Sequence, residues 1–324
     1  MQGEKTFRHI LVPLDGSRLA ESALTTAVWL AKKTAAQLTL VHVIEKDAPS
    51  EVHSERHLVT PEEATAYLQE VSRRPALSGL RVETHVHTAE VSDVARSIAE
   101  HSAELSPDLI VMCTHGKGGA RRLLFGVIAQ QVISLGRTPV LMVRPSKEPR
   151  VAATEGDFRT ILAPIDGDPG HEKGLPMATE IARAFHSRLH LLMVVPKLRD
   201  LIGPKAATSF LLPGATRFNL EMESEGARMY LDQRAAELNQ KGVQAEYETI
   251  RGDPARAIIA SAQRISADLV VMGTHGRAGA DAFWAESVAA RVVARIQAPL
   301  MLVPLGRSDE QDSFPNSGYS GKSR

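Results

Sequence analysis

The 324-residue sequence predicts an α/β protein made of two tandem, doubly wound, parallel five-stranded sheets with helices on both faces. Three observations carry this reading. First, the chain repeats itself. Residues 7–17 read FRHILVPLDGS and residues 158–168 read FRTILAPIDGD, an offset of 151. Residues 111–116 (VMCTHG) and 139–143 (PVLMV) recur as 271–276 (VMGTHG) and 299–303 (PLMLV) at an offset of 160, so the second copy holds about nine more residues in between. Second, short apolar runs alternate with stretches of helical periodicity, the pattern of parallel strands joined by right-handed crossovers. Third, glycines follow the fourth apolar run of each copy, and the carboxyl ends of strands are where such sheets bind ligands.

The elements follow in order. Residues 10–14 form a short apolar run, as a strand buried on both faces requires. Residues 20–33 place Ala, Leu, Val and Trp29 on one helical face, and 38–44 form the next strand. Residues 62–73 read as a helix opened by Thr60 as its cap and Pro61 as its first helical residue. A third strand at 82–86 precedes a helix at 91–102 with Ser92 and Asp93 near its start. Residues 109–112 are the fourth strand, 128–135 belong to the fourth helix, and 140–143 are the fifth strand. Strands of the second copy fall near 161–165, 189–195, 245–249, 269–272 and 300–303. The domains are therefore expected at 1–147 and 158–305, joined by a polar linker at 148–157. The tail 306–324 is rich in Ser, Gly and charge and is expected to be disordered, because it has almost nothing to bury.

Composition narrows the function. Lys plus Arg and Asp plus Glu both number 38, so the formal net charge is zero. That argues against nucleic acid and membrane surfaces as partners, which are held through basic excess. Cys113 is the only cysteine, which excludes an internal disulfide and a Cys-rich metal site. The first residues are polar, and no apolar run approaches the ~20 residues of a membrane helix. A cytoplasmic location is expected.

Two signals could carry chemistry. The loop after the fourth strand runs Cys113, Thr114, His115, Gly116, then nine residues to Gly126 and Val127. Its counterpart runs Gly273, Thr274, His275, Gly276, then nine residues to Glu286 and Ser287. Glycines there let the backbone approach a ligand, and the following helix start favours a phosphate; a plain strand-to-helix turn would also need glycine. His115 follows the strand closely enough to reach a ligand, and Arg122 adds charge within the first loop, beside Lys117 and Arg121. The second signal is the carboxylate ending the first strand, Asp15 and Asp166, each in P-x-D-G. It could accept hydrogen bonds from a nucleotide or cap the following helix. His85 and His87 alternate on one strand face and could begin a zinc site, but no third ligand is evident, and a polar strand face explains them too. Cys113 suits an inert small residue at a strand end. No P-loop lysine motif, no G-x-G-x-x-G and no nucleophile elbow is present.

The repeated P-x-D-G and the spaced glycines resemble the UspA family of universal stress proteins, whose nucleotide signature is G-x2-G-x9-G-[ST] with an Asp ending the first strand. The resemblance covers roughly 7–144 and 158–304. It implies a Rossmann-like fold of the adenine nucleotide alpha hydrolase type and a site for ATP, with or without magnesium. On the first copy it implies Pro13, Asp15, Val41 and Met112 at the adenine side, and Cys113, Gly116, Gly126, Val127 and Ile128 at the ribose and phosphates. On the second the matching residues are Pro164, Asp166, Leu192, Met272, Gly273, Gly276, Ser287 and Val288. Neither copy keeps the whole signature. The first has Cys113 and Val127 at the first-glycine and hydroxyl positions; the second has Glu286 at the last glycine. A carboxylate there repels phosphate, so the nucleotide is expected in the first domain of an ATP-binding stress-response regulator. The alternative is a nucleotide-free, degenerate module acting through protein partners. An enzyme on this fold has no second catalytic constellation to support it. The family also implies pairing through the fifth strands, here within one chain, with a homodimer as a further possibility.

Overall fold

Ile10, Leu11 and Val12 are fully buried, which places the strand they form, β1 (His9–Pro13), inside the sheet rather than at its edge. The computed structural model describes residues 7–47, 51–52, 55–113, 127–144, 158–198, 211–274 and 287–305. The first repeat continues with α1 (Arg18–Thr34), β2 (Gln37–Glu45), a small hairpin of β3 (Glu51–Val52) and β4 (Glu55–Arg56), α2 (Pro61–Ser72), β5 (Val82–Val91), α3 (Val94–Leu105), β6 (Leu109–Cys113), α4 (Val127–Leu135) and β7 (Val140–Val143). The second repeat runs β8 (Thr160–Pro164), α5 (Gly174–Phe185), β9 (Arg188–Val195), α6 (Pro213–Gln240), β10 (Ala245–Arg251), α7 (Pro254–Arg264), β11 (Leu269–Thr274), α8 (Val288–Val293) and β12 (Leu300–Pro304).

The strands lie in the order β5-β2-β1-β6-β7-β12-β11-β8-β9-β10. Within each repeat they are parallel. At the centre β7 runs antiparallel to β12, with Val140 opposite Leu302, Leu141 opposite Met301 and Met142 opposite Leu300. The two five-stranded sets are thus one continuous sheet rather than two separate ones. The physical reason is that β7 and β12 each end a parallel sheet, and their unpaired backbone groups satisfy one another. One apolar layer packs under α1, α2, α5 and α6, and the other under α3, α4, α7 and α8.

Local chemistry starts the helices. Ser17, Thr60, Asp93, Asp253 and Ser287 each accept an amide of the first turn of α1, α2, α3, α7 and α8. Asp93 as cap explains why α3 begins at Val94, while Val91 still belongs to β5. The extra length of the second copy also has a place. Leu38 pairs with Val82, 44 residues on, whereas Leu189 pairs with Ala245, 56 residues on. The 28-residue α6 stands where α2 has 12 residues. Part is recovered at the edge, where β5 has ten residues and an irregularity opposite Val43 to Glu45, and β10 has seven. The linker expected at 148–157 and the tail at 306–324 lie outside the described residues.

Two expectations follow from this architecture. A chain of residues 1–150 leaves β7 without its neighbour and should dimerise or aggregate; light scattering that shows a monomer at high concentration overturns this. The P-x-D-G turns hold Gly16 at φ +90° and Gly167 at φ +84°, backbone that side chains rarely adopt. A Cβ on Gly16 would stand 2.9 Å from Leu58 Cγ, whereas on Gly167 it would meet Met193 Cε at 3.4 Å. Gly16→Ala should therefore cost more than the ~1–2 kcal/mol of left-handed backbone alone, and more than Gly167→Ala. Denaturant unfolding of both variants measures the difference, and equal losses would show that Leu58 simply moves aside.

Candidate functional site

Strand order reverses between β1 and β6 and again between β8 and β11. Loops leaving the carboxyl ends of such neighbours depart to opposite faces and leave a crevice between them. In the first repeat Pro13 pairs with Val41, and the Leu14 amide donates to the Val41 carbonyl at 2.9 Å. In the second, Pro164 pairs with Leu192, and the Ile165 amide donates to the Leu192 carbonyl at 2.9 Å. Met112 and Met272 lie near the carboxyl ends of the neighbouring strands in matching, buried positions. The base-side residues expected from sequence are thus brought together at each switch point.

The two aspartates differ. Half-buried Asp15 accepts the Ser17 amide at 2.9 Å and the Ser17 hydroxyl at 2.6 Å on one oxygen, and the Ser17 hydroxyl oxygen accepts the Ala20 amide at 3.1 Å. Asp15 therefore supports the cap of α1 at one remove. Asp166 has a side chain 58% exposed and accepts a hydrogen bond from His171 Nδ1 at 2.6 Å. That bond raises the His171 pKa above its ordinary value. The cause is local sequence. Asp168 accepts the Gly170 and His171 amides in a tight turn containing Pro169, so α5 starts only at Gly174 and His171 faces the aspartate.

Cys113 and Gly273 occupy matching places and also diverge. The Ser22 hydroxyl donates to Cys113 Sγ at 3.1 Å, and burial pushes the thiol up to about 11. It stays protonated near neutrality and offers no thiolate. At Gly273 a Cβ would lie 2.7 Å from the His171 carbonyl oxygen, and Gly174 packs on the backbone of Met272 and Gly273. Packing of the 171–174 turn thus requires this glycine with or without a ligand. Ser287 caps α8 by accepting the Ala290 amide at 3.0 Å, and Val288 opens that helix. Val127 opens α4, and Ile128 beside it is exposed. His115, Gly116, Arg122, Gly126 and Gly276 lie outside the described residues.

Sequence reasoning missed two histidines. His42, buried in β2, donates from Nδ1 to the Leu14 carbonyl at 2.7 Å, and burial lowers its pKa. It fixes the backbone one residue before Asp15; an imidazole inside an otherwise apolar strand was the available signal. His101 of α3 meets both His85 and His87, with ring centroids 4.8 Å and 4.7 Å away. Fourteen residues and a change of element separate it from His87, so no spacing rule reveals it. Among the described residues, no group of three or more His, Cys, Asp or Glu side chains stands, as placed, so that it could hold a metal ion. No helix among them is long and apolar enough to cross a membrane.

Comparison with known proteins matches this geometry. The model of the universal stress protein family matches residues 6–144 and again 157–304. A universal stress protein of Methanocaldococcus jannaschii is 31% identical over 156 residues, 45% of this chain and 88% of that protein. One from Mycolicibacterium smegmatis is 27% identical over 305 residues, 91% of this chain and 96% of its own length. The crystal structure of a universal stress protein from Archaeoglobus fulgidus shares the fold with a TM-score of 0.66 at 17% identity, covering 94% of this chain and 98% of that one. The chain belongs to the universal stress protein family and carries the family's domain twice.

Proposed function

We propose that the chain is an ATP-binding regulator of the stress response whose nucleotide sits in the first repeat. The observation that favours the first repeat is the state of the two aspartates. Asp15 stands half-buried at the switch point, steadied by Ser17, while Asp166 is held by the His171 imidazole. A ribose or adenine donor would share the Asp166 carboxylate with His171 and with the Asp168 amide. The loop residues point the same way. The first loop carries Lys117, Arg121 and Arg122, and the second carries Arg277 against Asp281 and ends in Glu286. Cys113 and Val127 replace signature residues, yet each still offers a backbone amide, the group that binds phosphate at a helix start. Binding, with or without magnesium, changes the chain's conformation or choice of protein partner, with turnover slow or absent. Pairing through β7 and β12 makes the two repeats one unit in this reading.

The two ends of the ligand separate by mutation. Asp15→Ala should weaken ATP and adenosine alike, and Arg122→Ala should weaken ATP more than adenosine. Equal losses for both ligands in Arg122→Ala would overturn that assignment of ends.

Calorimetric stoichiometry tests the asymmetry. The wild type should bind about one nucleotide per chain. Gly126→Glu should bring this near zero, since a unit charge beside a triphosphate costs about 1 kcal/mol in water and several in a less polarisable pocket, at least tenfold in affinity. Glu286→Gly should raise it toward two. No binding by either the wild type or Glu286→Gly would favour the nucleotide-free interaction module.

A further inference from the structure

At the outer edge of the first repeat three imidazoles meet. His85 and His87 lie two residues apart on β5 and pair in register with Val41 and Val43 of β2. Both valines belong to the apolar layer under α3, so both imidazoles face that helix. His101 of α3, only 5% exposed, closes the group. Its Nδ1–H donates to the Ser97 carbonyl at 2.7 Å. That bond settles the tautomer and leaves Nε2 with its lone pair, 3.2 Å from His87 Nδ1. In the metal-free chain the proton between these two nitrogens therefore belongs to His87.

The second repeat provides an internal comparison. Glu248 pairs with Leu192 as His85 pairs with Val41, and Ile250 pairs with Val194 as His87 pairs with Val43. Counting from the caps Asp253 and Asp93, Ser261 matches His101 and Arg264 matches Glu104. There Glu248 accepts from both Ser261 and Arg264 and lies 3.0 Å from His190, a filled network with its own cation. The first repeat has three imidazoles in that place, and an acid, Glu104, in place of the arginine. Both changes favour a bound cation.

We propose that His85, His87 and His101 bind one borderline divalent transition-metal ion of the zinc class, joining edge strand β5 to α3. Tetrahedral zinc with nitrogen at about 2.0–2.1 Å places two ligand nitrogens about 3.3 Å apart and the centres of their rings roughly 5 Å apart. The pair here stands at 3.2 Å, and the centroids at 4.7 Å and 4.8 Å. As placed the three side chains do not yet hold an ion, and loading the site takes two steps. The His87 proton moves from Nδ1 to Nε2, so no net charge leaves the ring, and the His85 ring turns to bring a nitrogen to the shared centre. Burial and the two neighbouring imidazoles hold the His85 pKa below its ordinary value. The Ser97 carbonyl orients His101 from behind, as outer partners of metal-bound histidines do. Three histidines leave the fourth position to water, and Glu104 lies close enough to affect His85 electrostatically. The ion would stand one strand away from Val41, at the base side of the candidate nucleotide site, but the inference does not depend on nucleotide binding.

The test is titration of the full chain, freed of metal by chelation, with zinc chloride in a calorimeter, followed by thermal unfolding with and without zinc. One ion per chain is expected, with a higher Tm. His87→Ala and His101→Ala should each weaken binding by at least tenfold and remove the Tm gain, while His171→Ala leaves both unchanged. Far-UV circular dichroism of the metal-free variants checks that they are folded. Cobalt substitution supplies an independent reading in the unaltered protein: strong visible bands of a four-coordinate ion are expected. Absence of zinc binding, binding undiminished in folded His87→Ala and His101→Ala, or the weak bands of six-coordinate cobalt would each overturn the proposal.

Discussion

One carboxylate in each repeat sets the register on which the rest of the fold depends. Asp108 accepts the Arg8 and His9 amides at 2.6 Å and 2.9 Å, and Asp268 accepts the Arg159 and Thr160 amides at 2.9 Å and 3.0 Å. The aspartate lies one residue before β6 or β11, and the amides begin β1 or β8. This clamp ties together two strands separated by about a hundred residues at their amino ends. It holds Ile10 opposite Leu109 and Ile161 opposite Leu269. A slip of one residue would turn each strand's side chains to the other face. With the amino ends fixed, the carboxyl ends of the same strands must open into the crevice where Asp15 and Cys113, or Asp166 and Gly273, come together.

What was legible in the sequence was whatever repeats at short range. The apolar runs of β1, β6 and β7 and the cap Thr60 are written in a few adjacent residues, and the structure places them close to where they were read, whereas the helix read at 91–102 begins only at Val94, behind Asp93 as its cap. The base-side set was implied by the family resemblance, and of it only Pro13 and Pro164 end strands, β1 and β8, that the apolar runs mark by themselves. The rest depends on contacts between distant segments. His101 reaches His87 only because α3 packs across β5. Asp166 meets His171 only because Pro169 and Gly170 delay α5. The length of α6 left only a shift of offset, with no sign that a single helix absorbed it.

The same distinction separates what the two repeats keep from what they lose. Positions that serve the backbone match: Asp108 and Asp268, Asp93 and Asp253, Gly16 and Gly167 with positive φ. Several positions facing the crevice or the outer edge differ in chemistry, among them Cys113 against Gly273 and His85 against Glu248. A glycine or aspartate in the shared motif therefore does not by itself report a ligand. At Gly273 the 171–174 turn accounts for the residue, and at Ser287 the cap of α8 does.

Divergence of this kind is easier in one chain than in a symmetric pair. In a homodimer every substitution appears in both subunits, so a change that closes one site closes its twin. Here β7 and β12 pair antiparallel, as two-fold related edges would, but they are different sequences joined by one backbone. The junction needs only its apolar rows, Val140 to Met142 against Leu300 to Leu302, and these are buried in both repeats. Everything beyond the junction is free to change on one side alone. An imidazole can hold Asp166 while Asp15 keeps its place beside Ser17, and a histidine group can stand at β5 while an ion pair fills the same position at β10. Tandem duplication thus keeps the symmetric packing solution and removes the requirement that its two sites do the same thing.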